Sequence, residues 1–220
     1  MTHASYTPEA PGGPVFGWTG RILRIDLTTG AHEVLRLPER TYHMFLGGKG
    51  LGGYFLRQAQ RCAPLSCAPL SCDNPALPLT IATGPLTATI APTSGRAHLV
   101  SRSPLTGAVA DSSVGGRLGT ELKRAGWDAL VLVGKSPKPC GIEIDDGEVR
   151  LTDATELTGR DTAEVFALLK KRRKGGSLLA TGPAAENGCL YASLVVDERH
   201  AAGRCGLGRV AALKNLKYLA

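Results

Sequence analysis

The sequence lacks the usual signatures of a self-contained catalyst. Its six cysteines include no C-x2-C pair, so neither an iron–sulfur cluster nor a structural zinc is expected on this chain. No G-x-S-x-G, G-x4-G-K-[ST] or H-E-x-x-H occurs, which removes the common hydrolase, nucleotidase and metalloprotease patterns. Histidine is sparse: His3, His32, His43, His98 and His200 are scattered, and His98, alternating with Leu99 in an expected strand, reads as structural. Aromatic residues are few and do not interleave with the basic residues, which argues against nucleic-acid binding. No apolar run is long enough to span a membrane. Residues 1–14 are polar and rich in Pro and Gly, with no hydrophobic core of a signal peptide, and are expected to form a disordered tail ahead of one domain, 15–220. The cytoplasm is the expected compartment, where thiols stay reduced.

Glycine and positive charge are plentiful. The 220 residues hold 28 glycines and a net charge of +7. The excess charge is diffuse except for Lys170-Lys171-Arg172-Arg173-Lys174, which reads as a solvated helix end complementing the helix dipole. Cys62, Cys67 and Cys72 lie in the tandem CAPLSCAPLSC, a local duplication in a Pro-rich loop, with no metal role expected. The remaining cysteines are dispersed.

Apolar alternation over Gly20–Leu37 with Thr28-Thr29-Gly30 at its centre predicts a hairpin, followed by helices from Pro38 to Phe45 and from Leu51 to Arg61. Strands are expected at Leu79–Thr83, Ala97–Ser101, Leu105–Ala110, Ala129–Val133, Leu178–Thr181 and Leu190–Val196. A second hairpin is expected across Asp145-Asp146-Gly147, and helices at Leu118–Ala125 and Gly208–Leu216. Asp161 with Glu164 forms a capping-box pattern for a helix through Arg173. Strands outnumber helices and hairpins mix with crossovers, which indicates an α+β fold.

Ala82-Thr83-Gly84-Pro85 recurs as Ala180-Thr181-Gly182-Pro183. Each copy is followed by a Gly-Arg pair, Gly95-Arg96 and Gly203-Arg204, and then by a Gly-rich turn into a helix. The repeat suggests two similar lobes. A Gly-rich turn at a helix start exposes N–H groups under the positive end of the dipole, and a nearby Arg adds a bidentate donor. Two such units would suit a ligand with two phosphates or a pair of related phosphorylated ligands. On the residues alone, the chain reads as an anion-binding domain with no catalytic residue of its own.

Further stretches carry a resemblance. They are Gly20–Gly30, Phe45–Leu51, Gly84–Thr87, Ala91–Arg96, Ser103–Gly107, Gly115-Gly116 to Lys123, Gly126–Ala129, Gly182–Ala184, Ala201–Arg204 and Lys214–Lys217. In order and spacing, from about residue 15 onward, the chain resembles the N-terminal domain of the aldehyde:ferredoxin oxidoreductases. The resemblance implies a base of two mixed sheets with helices, related by a pseudo-twofold axis. This base would seat a tungsten or molybdenum bis-pterin, with magnesium bridging the two phosphates. Arg96 resembles the pterin-binding Arg, and Gly115, with Gly116 beside it, a backbone donor to the cofactor. Ser113 stands where the family often has Asn near the magnesium, and Ala201 where a main-chain oxygen approaches the same ion. His200 stands where members often carry Arg, with Arg199 adjacent, and Gly203 and Arg204 fall in the second cofactor loop. Members of this family continue for several hundred residues, with the four cysteines of a [4Fe–4S] cluster in the later domains. The resemblance therefore implies a cofactor-binding subunit or piece of an aldehyde-oxidising enzyme. It would require cluster-bearing domains and a ferredoxin-like acceptor as partners, in an oligomer. A non-catalytic cofactor carrier, assembly factor or orphan domain is the alternative.

Overall fold

The chain folds twice in the same pattern. The structure, a computed structural model, describes residues 17–62, 70–145, 147–173 and 175–220. The expected tail at 1–14, Cys67, Asp146 and Lys174 therefore lie outside the described residues. The first half runs β1 (Ile22–Asp26), β2 (His32–Leu35), α1 (Glu39–Phe45), α2 (Gly48–Cys62), β3 (Leu79–Ala82), β4 (Ala97–Arg102), β5 (Val109–Val114), α3 (Leu118–Arg124) and β6 (Ala129–Val133). The second runs β7 (Cys140–Asp145), β8 (Glu148–Asp153), α4 (Thr162–Arg172), β9 (Leu179–Ala180), α5 (Pro183–Glu186), β10 (Leu194–Val196), β11 (His200–Ala202), α6 (Leu207–Leu213) and β12 (Leu216–Leu219).

Each half builds one six-stranded sheet. The orders are β2-β1-β6-β3-β4-β5 and, read from the other edge, β8-β7-β12-β9-β10-β11. The pairings also correspond: β1 and β6 are parallel, as are β7 and β12, while the other neighbours are antiparallel. The fold is thus α+β with two mixed sheets and a two-lobed duplication. Even detail repeats: the Thr83 N–H donates to the Asp128 carbonyl at 2.9 Å, and the Thr181 N–H to the Lys217 carbonyl at 2.9 Å.

Alternation along the strands explains the layering. In β6, Leu130 and Leu132 enter a core shared by both sheets with α3 and α6, while Ala129, Val131 and Val133 turn to a second core with Tyr42, Leu51 and Phe55 of α1 and α2. A strand buried on both faces reads as an unbroken apolar run, as this one does. In the second half, Val165, Phe166 and Leu169 of α4 pack on Ala180 and Tyr218. The capping box at Asp161 and Glu164 forms as expected. Of the basic residues at the end of α4, Lys170 pairs with Glu198 at 2.7 Å at the surface, and the half-buried Arg173 with Glu143 at 3.2 Å.

Buried charges tie segments together. Asp128, fully buried, accepts the N–H groups of Thr19 at 3.0 Å and Gly20 at 2.8 Å and pairs with Lys123. Lys214, 3% exposed, donates from the second half to the carbonyls of Pro75 and Gly134 in the first, each at 3.1 Å.

Three local expectations are corrected. Residues 105–108 form the turn between β4 and β5, so the strand expected at Leu105–Ala110 lies at Val109–Val114. It carries Asp111, Ser112 and Ser113, whose low strand propensity hid it and is overridden by pairing with β4. The final helix ends at Leu213, and Leu216–Leu219 is a central strand. The strand expected at Leu190–Val196 is confined to Leu194–Val196, with Leu190 and Tyr191 in an exposed loop.

Candidate functional site

The free edges β5 and β11 of the two sheets lie side by side, and every residue singled out from the sequence lies along or beside this seam. His200 opens β11 against Gly115: a Cβ on Gly115 would lie 3.1 Å from His200 Nδ1. Further along, the Arg204 N–H donates to Ser112 Oγ at 3.5 Å and Cys205 Sγ lies 3.7 Å from the Asp111 carbonyl. Arg96, just ahead of β4, reaches Ser113 Oγ with its guanidinium at 3.5 Å. The folding thus joins Arg96, Ser113, Gly115 and Gly116 of the first half with Arg199, His200, Ala201, Gly203 and Arg204 of the second.

The seam is open and cationic. Arg96, Arg199, His200, Ala201, Gly203 and Arg204 are exposed, and Ser113, Gly115 and Gly116 are half-buried. Ala201 and Gly203 keep the strip free of bulk; a Cβ on Gly203 would meet only Ala201, at 3.9 Å and beyond. The loops after β3 and β9, which correspond in the duplication, expose Leu86 and Ile90 in one half and Leu190 and Tyr191 in the other.

The anion-binding units read from the sequence are corrected in two respects. The Gly-Arg pairs are not equivalent: Gly95-Arg96 precedes β4, whereas Gly203-Arg204 follows β11, the position that Gly115-Gly116 holds after β5. The helix starts are also already engaged, that of α3 by the opposite half and that of α6 mainly by its own, where the Gly208 N–H donates to the Ala192 carbonyl at 2.9 Å. The Arg117 N–H at the start of α3 donates to Asp197 Oδ2 at 2.8 Å. At the start of α6, Gly206 has φ +73° and lies so close to Leu190 that a Cβ would come 2.0 Å from its carbonyl oxygen and 3.2 Å from Pro104 Cδ. Gly116, at φ +82°, packs on Asp197 and His200 in the same way. These glycines serve the approach of the two halves, and the positive charge offered to an anion comes from the exposed arginines.

Sequence reasoning passed over three residues here. His98 Nδ1 lies 2.8 Å from Asp111 Oδ1 beside Ser113. Asp197 holds the turn between β10 and β11 against α3 by accepting from Arg117 N, Ser177 Oγ and Leu178 N. The alternation of His98 and Leu99 signalled a side chain opposite the core, but its partner on β5 depends on a register that the sequence did not reveal. Among the described residues no group of three or more His, Cys, Asp or Glu side chains is placed to hold a metal ion, and no helix is long and apolar enough to cross a membrane.

Comparisons with known proteins agree with this architecture. The family described as aldehyde ferredoxin oxidoreductase, N-terminal domain, matches residues 22–220. The chain is 40% identical over 210 residues to a tungsten-containing aldehyde ferredoxin oxidoreductase of Thermococcus kodakarensis, an alignment covering 94% of this chain and 33% of that protein. It is 31% identical over 222 residues to the aliphatic sulfonate oxidoreductase, WOR-like subunit, of Pyrococcus furiosus, covering 92% of this chain and 34% of that one. Among solved structures, the active site complex BamBC of benzoyl coenzyme A reductase with 1,5 dienoyl-CoA superposes at a TM-score of 0.86 with 32% identity, covering 93% of this chain and 30% of that chain. The chain spans about a third of the length of the curated relatives it matches.

Proposed function

Since the chain belongs to the aldehyde ferredoxin oxidoreductase family across residues 22–220, we propose that its seam is one half of the seat of a tungsten or molybdenum bis-pterin, completed by cluster-bearing domains of a partner or of a longer protein. The observation that carries this reading is the meeting of β5 and β11: two segments about 90 residues apart converge to set Arg96 and Arg204 on one exposed strip. The donor set suits such a group. Exposed guanidinium groups are permanently charged forks that match phosphate oxygens, and Ala201 and Gly203 leave room above the strand.

In this reading Arg96, Arg199 and Arg204 hold the phosphates. Gly115 and Gly116 bring the backbone close, and His200 packs over both glycines. Main-chain or side-chain oxygens of Ser113 and Ala201 would hold the magnesium that accompanies the cofactor. When bound, the metal bis-pterin supplies the two-electron chemistry that turns an aldehyde and water into a carboxylic acid, with electrons leaving through a [4Fe–4S] cluster to a ferredoxin-like acceptor. The residues of this chain bind and orient the group and contribute no acid or base of their own. The exposed Leu86, Ile90, Leu190 and Tyr191, on the corresponding loops after β3 and β9, would be covered by the completing domains. The cytoplasm is the proposed compartment.

The test is the pterin and metal content of protein produced in cells that make metal bis-pterin cofactors. Arg96→Ala and Arg204→Ala should each lower both contents together while the circular dichroism spectrum stays unchanged. Full and equal content in both variants would overturn the assignment of the seat.

A further inference from the structure

The outer face of β4 and β5 carries a polar group that the resemblance does not assign. Ala97, Leu99, Ala110 and Val114 enter the shared core, so the alternate residues His98, Asp111 and Ser113 stand on the opposite face. The register sets His98 directly across from Ser113, and Asp111 is the next residue along β5 on that face. Arg96 reaches over Ser113 from the same end of the sheet.

The His98 ring is held on two sides. Its Nδ1 lies 2.8 Å from Asp111 Oδ1, and the two side chains are 28% and 32% exposed. Its Cδ2 faces the start of α2, where a Cβ on Gly48 would lie 3.0 Å away. With one edge bonded and the other packed, the exposed part of the ring is the end farthest from the backbone, which carries Nε2. No hydrogen-bond partner of Nε2 occurs among the described residues. A carboxylate accepts, so Nδ1 carries a hydrogen, and in the neutral ring Nε2 is left as an acceptor for another molecule. A carboxylate that fixes the tautomer and orientation of an imidazole in this way is a general device for presenting the far nitrogen to a ligand.

We propose that His98 contacts the ligand of the seam through Nε2, with Asp111 as its positioning residue. The ligand would then offer an N–H or O–H donor beside its anionic groups, as a phosphorylated heterocycle does and a bare oxyanion does not. This rests on the reading of the seam as a cofactor seat, and the experiment separates the two. The purified full chain is titrated calorimetrically with sulfate, which has no donor, and with a monophosphorylated pterin. Arg96→Ala should weaken both probes. His98→Ala should weaken the phosphopterin about fivefold to tenfold, the worth of one net hydrogen bond, and leave sulfate unchanged. Asp111→Asn, which keeps the shape of the pair, should weaken the phosphopterin to a smaller extent. In nitrogen-15 imidazole spectra it should also abolish the fixed Nδ1–H tautomer of His98, a change that a purely structural role for Asp111 in binding would not require. An equal effect of His98→Ala on both probes, or an effect on neither, overturns the role of His98 and leaves the seat standing. Arg96→Ala without effect on either probe, or a wild-type chain that binds neither, overturns both.

Discussion

Replacing Asp197 should loosen the joint between the two halves by an amount that can be worked out bond by bond. Its carboxylate accepts the Arg117 N–H at 2.8 Å on one oxygen, and Ser177 Oγ at 2.8 Å and the Leu178 N–H at 3.0 Å on the other. Hydrogen bonds to a charged acceptor contribute about 1.5–3 kcal/mol each when broken singly, and a shared acceptor contributes less than their sum. A carboxylate at the start of α3 adds roughly 0.3–1 kcal/mol against the helix dipole. Asp197→Asn keeps one acceptor oxygen and should cost about 1.5–2 kcal/mol. Asp197→Gly loses all three bonds and should cost about 3–4 kcal/mol. Asp197→Ala should cost a further ~1 kcal/mol, because φ at this position is +49°, a region that alanine enters only with strain. Near 2–4 °C of melting temperature per kcal/mol for a chain of this size, the glycine variant should melt roughly 6–16 °C below the wild type. The assay is urea and thermal unfolding of the four proteins. The reasoning is refuted if Asp197→Gly loses less than about 1 kcal/mol, or if alanine is tolerated better than glycine.

Two further outcomes follow from buried polar groups. Burial pulls the Lys214 ammonium from 10.5 down to about 8, with Asp26 opposing the drop. Between those pH values the folded chain has released a proton that the unfolded chain still holds, so stability should rise across the window, by about 3 kcal/mol at 1.36 kcal/mol per pH unit. Urea unfolding of the wild type and of Lys214→Met should diverge above pH 8, and parallel curves would show the idea to be wrong. The hydroxyl of Tyr42 is buried without a hydrogen-bond partner among the described residues, and burial pushes its pKa far upward. Tyr42→Phe should therefore leave thermal stability unchanged or raise it by up to about 2 kcal/mol; a loss above about 1 kcal/mol counts against the packing described.

Much of this protein was legible in one dimension. The unbroken apolar run Ala129–Val133 required a strand buried on both sides, and the Asp161–Glu164 pair marked a helix start, because each signal is local and has one physical solution. The duplicated Ala-Thr-Gly-Pro marked the two lobes, since each copy ends a corresponding strand. Strands at Val109–Val114 and Leu216–Leu219 were misplaced because polar or terminal segments join a sheet only through partners far along the chain.

By itself the sequence determined the α+β class and the family, since turn chemistry and motif spacing are properties of neighbouring residues. Only the tertiary structure decided which residues meet at the seam. The starts of α3 and α6 look like open anion sites along the chain, yet the folding fills both, the first with Asp197 of the opposite half and the second with the Leu190–Ala192 loop of its own half. His98 looked structural until β4 and β5 set it beside Asp111. The reason is that a hydrogen bond is satisfied by proximity in space, and the partners here lie 13 to 92 residues apart.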